Sequence, residues 1–338
     1  MFYIGVDLHK NRFSVARLSK SGEIEYQEYS MKQLGEFQKS LSPEDAVAVE
    51  ATGNSRYFVK QILHLVKEVQ IVNPSQFRLI KDSVKKTDKK DAELLALFLS
   101  KGLLPEIRFK DELHAQIKSL AQTRDKLVKL RTTLKNKIHN ILNYYGIITR
   151  REDFSSQKGL QRVLEYPLND TAHLELEVIV SQIEHLNEGI ARIDKEIEDK
   201  GQQLKGFENI TSIKGIGKKS GTILLSIIGD IEDFDDDKKL AAYFGLVPKV
   251  SQSNETVHQG RITKRGSKLG RTILVQCVLI AKRYSPYLNS FYEKIKAKKG
   301  AGKAIVATAR KLLSIIYHTL KNNWVFEDFT NFVIKEIH

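Results

Sequence analysis

Short apolar runs alternate with polar breaks along the first hundred residues. Positions 2–8 (FYIGVDL) and 12–18 (RFSVARL) read as strands, and Ser21-Gly22 turns the chain into a third strand at 23–29. Helical spacing follows over 32–41 until Ser42-Pro43 breaks it. Positions 46–51 (AVAVEA) are apolar but for one glutamate, the pattern of a strand buried on both faces. Phe58, Ile62, Leu65 and Val66 have helical spacing within 57–66, and 69–72 (VQIV) forms a short fifth strand. Three strands that can pair as hairpins, then strand–helix–strand, is the order of the ribonuclease-H-like fold. The glycine-rich loop that opens most other nucleotide-handling α/β folds is absent.

Beyond residue 110 the period changes. Leu113, Ile117, Leu120, Leu127, Leu134, Ile138 and Ile141 follow the three-and-four spacing of a coiled-coil seam, with Arg124 and Arg131 filling gaps. After Gly146 and Pro167 a second seam runs through Leu176, Ile179, Ile183, Leu186, Ile190, Ile193, Ile197 and Leu204. Two long amphipathic helices predict a helical hairpin or a dimerising stalk, and the seam arginines predict a wet or partner-binding face. A four-helix-like packing module is the plainer alternative. From 207 onward the pattern predicts a compact helical domain. The expected division is therefore 1–110 (catalytic, ribonuclease-H-like), 111–206 (coiled-coil arm and linker) and 207–338 (helical C-terminal domain).

Composition adds the partner. The 338 residues carry 55 Lys+Arg against 41 Asp+Glu, a formal charge of +14, which favours polyanions such as nucleic acid. No apolar run reaches the roughly 20 residues needed to span a bilayer, and the start lacks the charged and apolar regions of a secretory signal. The single cysteine, Cys277, sits in an apolar run and reads as core; it excludes an intramolecular disulfide and fits a reducing cytosol. The expected location is the cytoplasm, at the nucleoid.

Against that basic background four acids stand out. Asp7 lies within the first apolar run and Glu50 near the end of the fourth, where a carboxylate costs desolvation energy unless something compensates it. Asp88 and Asp91 lie one turn apart at the start of a helix and share a face. Together they can converge at one sheet edge to hold two Mg²⁺ ions, with Mn²⁺ able to substitute, for phosphodiester chemistry. The plainer reading of Asp88 and Asp91 is favourable charge at a helix N-terminus. No histidine is required as a ligand, although His9 is near enough in sequence to contact substrate.

Further on, Lys214-Gly215-Ile216-Gly217 opens a helix in the manner of a helix-hairpin-helix, whose free N–H groups suit a phosphate, and Lys218 and Lys219 add charge. Arg261, Lys264, Arg265 and Arg271, around Gly260 and Gly266, form a second basic group able to approach phosphate. Ser251 and Ser253 precede it. A loop serine is ordinarily a turn residue, and an unassisted hydroxyl is a weak nucleophile; His258 is the nearby histidine.

These segments resemble a known family. Gly5-Val6-Asp7-Leu8-His9-Lys10, Val49-Glu50-Ala51-Thr52-Gly53 and Lys86-Thr87-Asp88-Lys89-Lys90-Asp91-Ala92 are similar to motifs of the DEDD transposases of insertion sequences, whose N-terminal domain is RuvC-like. So are Ile213–Gly217, Phe244-Gly245-Leu246-Val247-Pro248, the Gly260–Gly266 segment and Ala309-Arg310-Lys311-Leu312-Leu313. The resemblance implies a recombinase acting on donor and target DNA, in many members guided by a structured (bridge) RNA, and working as a homo-oligomer, a dimer or tetramer. It implies Asp7, Glu50, Asp88 and Asp91 as the metal tetrad. Ser253, five positions after Pro248, would be the nucleophile, with Ser251 in reserve because Asn254 stands where the family usually has glycine. The alternative is a RuvC-like endonuclease on branched DNA that forms no serine intermediate; a third is a non-catalytic nucleic-acid-binding protein.

Overall fold

The computed structural model describes residues 1–73, 87–104, 106–107, 111–253 and 256–326. The chain divides into two compact units, Met1–Phe109 and Lys110–His338.

The first unit is built on a six-stranded sheet in the order β3-β2-β1-β4-β5-β6. Its strands are β1 (Tyr3–Leu8), β2 (Arg12–Leu18), β3 (Ile24–Ser30), β4 (Ala46–Glu50), β5 (Glu68–Val72) and β6 (Glu106–Ile107). β1, β2 and β3 pair antiparallel, whereas β4 runs parallel to β1 and β5 parallel to β4. This mixed α/β arrangement is compatible with a RuvC-like domain, as the strand order in the sequence led one to expect. β6, antiparallel to β5, adds an edge that two residues are too short to announce by periodicity. Ser30 and Gln33 form a capping box at a 3₁₀ turn, so the expected 32–41 helix shortens to α1 (Leu34–Lys39). α2 spans Ser55–Ile62 and α3 Asp88–Ser100.

The two faces of the sheet are packed differently. Ile4, Val6, Leu8, Val47 and Val49 join α1 and α2 in one core. At its centre Phe13 stacks on Tyr29 (centroids 5.2 Å apart) and meets Phe37 and Phe58 edge-on. The alternate residues of the same strands, with the period of two that a strand imposes, face α3 and are small: Gly5, Ala16, Ala46 and Ala48. α3 answers with Ala92 and Ala96, so helix and sheet approach closely.

In the second unit, α4 (Glu112–Tyr144) and α6 (Asp170–Gly201) are the two expected long helices, with α5 (Gln157–Arg162) between them. Cross-links between positions 124 and 194, and 131 and 187, show that α4 and α6 run antiparallel. One end of the hairpin is closed by a core of Ile138, Leu142, Phe154, Val163 and Leu176, the other by Ile117, Ala121 and Ile197 joining the main core of the unit. Between them polar links flank the buried Ile190: Arg124 pairs with Asp194, which also accepts from Lys219 (2.8 Å), and Arg131 donates to Asn187 (2.7 Å). The arginines that interrupt the seam find their partners within the chain.

The remainder carries α7 (Phe207–Ser212), α8 (Lys218–Ile228), α9 (Asp237–Tyr243), α10 (Lys268–Tyr284), α11 (Pro286–Lys299) and α12 (Ala301–Lys321). It is not wholly helical. β7 (Pro248–Ser253) and β8 (Thr256–Ile262) form an antiparallel ribbon, which corrects the all-helical expectation. The run PKVSQS lacks the alternating apolar face by which a half-buried strand is recognised.

Candidate active site

Asp7 lies near the end of β1, beside Ser14 on β2 and next to the parallel strand that ends in Glu50. α3 begins over the same edge, with Thr87 as N-cap accepting from the Lys90 N–H (3.3 Å) and Asp88 and Asp91 in its first turn. What allows the helix this position is Gly5, two residues before Asp7 and on the same face. A β-carbon there would lie 2.0 Å from the Ala92 carbonyl oxygen and 2.5 Å from the Ala96 nitrogen.

The four acids are thus brought together. Asp7 is only 6% exposed, Asp91 is buried, and Glu50 and Asp88 are half-buried. Burial pushes the Asp7 carboxyl up to about 6; His9 opposes the rise, and Glu50, Asp91 and Asp88 reinforce it by repulsion. A buried carboxylate crowded by three others is a site short of positive charge.

His9 stands beside two of these carboxylates. Its Nε2 lies 3.5 Å from Asp7 Oδ2 and 3.3 Å from Asp88 Oδ2, and one ligand atom from each of the three residues lies within 4.8 Å of the others. The backbone fixes this: the His9 N–H donates to the Arg12 carbonyl (2.9 Å), and the His9 carbonyl accepts from Asn54 Nδ2 (3.0 Å). Thr52 in turn donates to Asn54 Oδ1 (2.9 Å), so the loop after β4 clasps the turn after β1. Arg12 bonds Asp88 (3.2 Å) and Glu28 (3.2 Å) at the rim. Sequence reading noted His9 only as a possible substrate contact; the signal for more was its spacing of two from Asp7. Arg12, Asn54 and Gly5 carried no signal of their own.

The donor set suits a divalent cation. Carboxylates dominate, two of them are buried, burial and repulsion raise the pKa of Asp7, and an imidazole adjoins Asp7 and Asp88. Asp7, Glu50, Asp88 and Asp91, with His9, are the residues that could hold it.

The other residues singled out lie in the second unit. Ser253 ends β7 opposite Thr256, and Ser251 pairs in register with His258; Asn254 lies outside the described residues, as does Lys86 in the first unit. Gly260 and Arg261 belong to β8, so the basic loop proper is Thr263–Gly266, with Lys264 in the left-handed region (φ 55°). Arg261, Lys264 and Arg265 are exposed. Arg271 instead donates to the carbonyls of Phe244 (2.9 Å) and Gly266 (3.2 Å), and burial lowers its pKa. Gly215 (φ 103°) presses on the backbone of Ala281, where a β-carbon would lie 2.6 Å from the nitrogen, while Gly217 faces open space at the start of α8. Lys214 and Lys218 are exposed; Lys219 is committed to Asp194.

Two family models match the chain: a DEDD transposase model of the IS110 type over residues 4–147, and the transposase IS116/IS110/IS902 family over residues 207–293. The chain belongs to this insertion-sequence transposase family. The first match spans the strands and helix that carry all four acids, and the second spans α7 to α11 with the β7–β8 ribbon. Among curated relatives, the transposase is 26% identical to the transposase for insertion sequence element IS1111A of Coxiella burnetii, over 94% of this chain and 89% of that one. It is 27% identical to a probable family 20 transposase of Pseudomonas aeruginosa, over 80% and 81% of the two chains. It is 28% identical to the pilin gene-inverting protein of Moraxella lacunata, over 96% and 97%. Membership implies that the transposase cleaves and recombines DNA. Among its described residues no helix is long and apolar enough to cross a membrane.

Proposed function

We propose that this transposase cuts and rejoins donor and target DNA with a Mg²⁺-dependent acidic site, at which Mn²⁺ can substitute, and a serine nucleophile, under the guidance of a structured RNA. The observation that carries the reading is the convergence of Asp7, Glu50, Asp88 and Asp91 on one sheet edge, with Asp7 buried and repelled by the other three. Bound there, the cation would supply positive charge to the attacking and leaving oxygens of a phosphodiester. Asp7 and Glu50 are set by parallel strands and Asp88 and Asp91 by a capped helix, so the ligands are held on rigid elements. Arg12, at the rim beside Asp88, would meet the phosphate-bearing strand.

Ser253 is the proposed nucleophile. Its oxygen forms a bond to phosphorus as a deoxyribose oxygen leaves, that oxygen taking a proton to become a hydroxyl; rejoining reverses the exchange with the hydroxyl of a second strand. Exposed Lys214, Lys218, Arg261, Lys264 and Arg265 supply charge for the DNA or RNA backbone. Specificity is delegated to base pairing, as in other guided effectors. The transposase acts as a homo-oligomer, the seam-bearing arm contributing to assembly, and its place of work is the cytoplasm, at the nucleoid.

The test is recombination by purified protein with its guide RNA, donor and target DNA. Asp7→Ala and Ser253→Ala are both expected to abolish product, and undiminished product from both would overturn the mechanism. One observation favours a second reading: all four acids come from the first unit. If Ser253→Ala still cleaves and no protein–DNA adduct forms, the site is that of a RuvC-like endonuclease.

A further inference from the structure

We infer that His9 is a direct ligand of the cation beside Asp7 and Asp88, and that it tilts the site from magnesium toward transition ions such as manganese. This rests on the acid cluster being the cation site. Three observations carry it.

First, the spacing is that of a shared coordination sphere. Ligand atoms at adjacent corners of an octahedron with bonds of about 2.1 Å lie about 3 Å apart. His9 Nε2 stands 3.3 Å from Asp88 Oδ2 and 3.5 Å from Asp7 Oδ2, so small side-chain movements bring all three atoms onto one ion.

Second, the ring is delivered by backbone. Both peptide groups of His9 that face the sheet edge are engaged, one by Arg12 and one by Asn54, and Asn54 is itself held by Thr52. Such anchoring places a ligand; an exposed histidine serving only as diffuse charge has no need of it.

Third, Asp88 already has a cationic partner. Arg12 reaches the same Oδ2 at 3.2 Å and bridges on to Glu28. His9 is therefore not needed to neutralise Asp88, and what it adds to the pair of carboxylates is a nitrogen lone pair. Imidazole nitrogen favours transition ions, whereas magnesium prefers oxygen.

The experiment uses the full-length protein and Mn²⁺ alone. Free Mn²⁺ is titrated by electron paramagnetic resonance, and the bound ion is interrogated by pulsed methods for coupling to nitrogen, with ¹⁵N-histidine labelling to identify its source. Wild-type protein is expected to show histidine nitrogen coupling. His9→Ala should lose that coupling and bind Mn²⁺ at least roughly tenfold more weakly, the lower end of what even outer-shell partners contribute, with a smaller loss for Mg²⁺. Bound Mn²⁺ without nitrogen coupling in the wild type overturns the inference while leaving the acidic site intact, and needs no variant. Unchanged or tighter Mn²⁺ binding by His9→Ala also overturns it, because His9 would then be a competing positive charge. Wild-type protein that binds no Mn²⁺ removes both this inference and the acidic-site reading beneath it.

Discussion

The carbonyl oxygen of Ala92 lies 2.0 Å from where a β-carbon on Gly5 would stand. No side-chain rotation relieves that clash, because the obstacle is helix backbone. Gly5→Ala is expected to cost about 1–3 kcal/mol or more in urea unfolding, as overpacking does, and to lift the first turn of α3 away from Asp7. Divalent-cation binding should weaken with it. Wild-type cation affinity in a folded Gly5→Ala protein would show that α3 is not held in place by this contact.

Asp7 makes the ion-free protein less stable than it could be. Its carboxyl, raised from an ordinary 3.8 to about 6, binds a proton more tightly folded than unfolded. Stability in the presence of a chelator should therefore fall as pH rises from about 4 to about 6 and stay lowered above that, by an amount on the order of 3 kcal/mol at most. Asp7→Asn should remove that slope, raise stability at pH 7 and abolish recombination. Identical pH profiles for the two proteins would refute the assignment.

Asp194 holds the middle of the helical hairpin. Burial alone would push its carboxyl up, but hydrogen bonds from Arg124 and Lys219 outweigh burial and keep it below the ordinary carboxylate range. Its contribution is thus present at neutral pH and is lost as the solution is acidified below about 4. Asp194→Ala leaves two cations side by side and should cost about 1–2 kcal/mol, a value discounted for their partial exposure. Chemical unfolding at pH 7 with 0.5 M salt would measure it, and no change would mean the seam is held by its apolar ends alone.

Arg271 is expected to behave as a structural residue. Loss of its bonds to the Phe244 and Gly266 carbonyls in Arg271→Ala should lower stability by about 1–3 kcal/mol. The salt dependence of DNA binding, a count of phosphates neutralised, should stay unchanged. A reduced salt slope with unaltered stability would return Arg271 to the DNA-contacting group.

Much of the first unit was legible because its strands are apolar where they are buried on both faces, as in 46–50, and because a polar residue in such a run is costly. That is why Asp7 and Glu50 stood out. His9 did not, since its role depends on where Asp88 lands from a distant helix. The β7–β8 ribbon was illegible for another reason: a strand rich in Lys, Ser and Gln gives no periodic apolar signal. Arg124 and Arg131 were readable as seam breakers, but Asp194 and Asn187, which receive them, lie among the apolar positions of the second seam and give no apolar signal of their own. Gly215 and Arg271 matched a phosphate-binding pattern by composition, and packing uses them otherwise.

The small residues under α3 also bear on how the protein comes into being. Asp88 follows Asp7 by 81 positions, so a nascent chain exposes the strand-borne carboxylate well before the helix-borne pair has been synthesised. Gly5, Ala16, Ala46 and Ala48 offer little apolar area, and a helix can grip such a surface only by fitting it closely, after a long loop has been closed. A chain in which α3 has yet to dock therefore keeps Asp88 and Asp91 apart from Asp7 and Glu50. The assembled cluster arrives only with the finished domain.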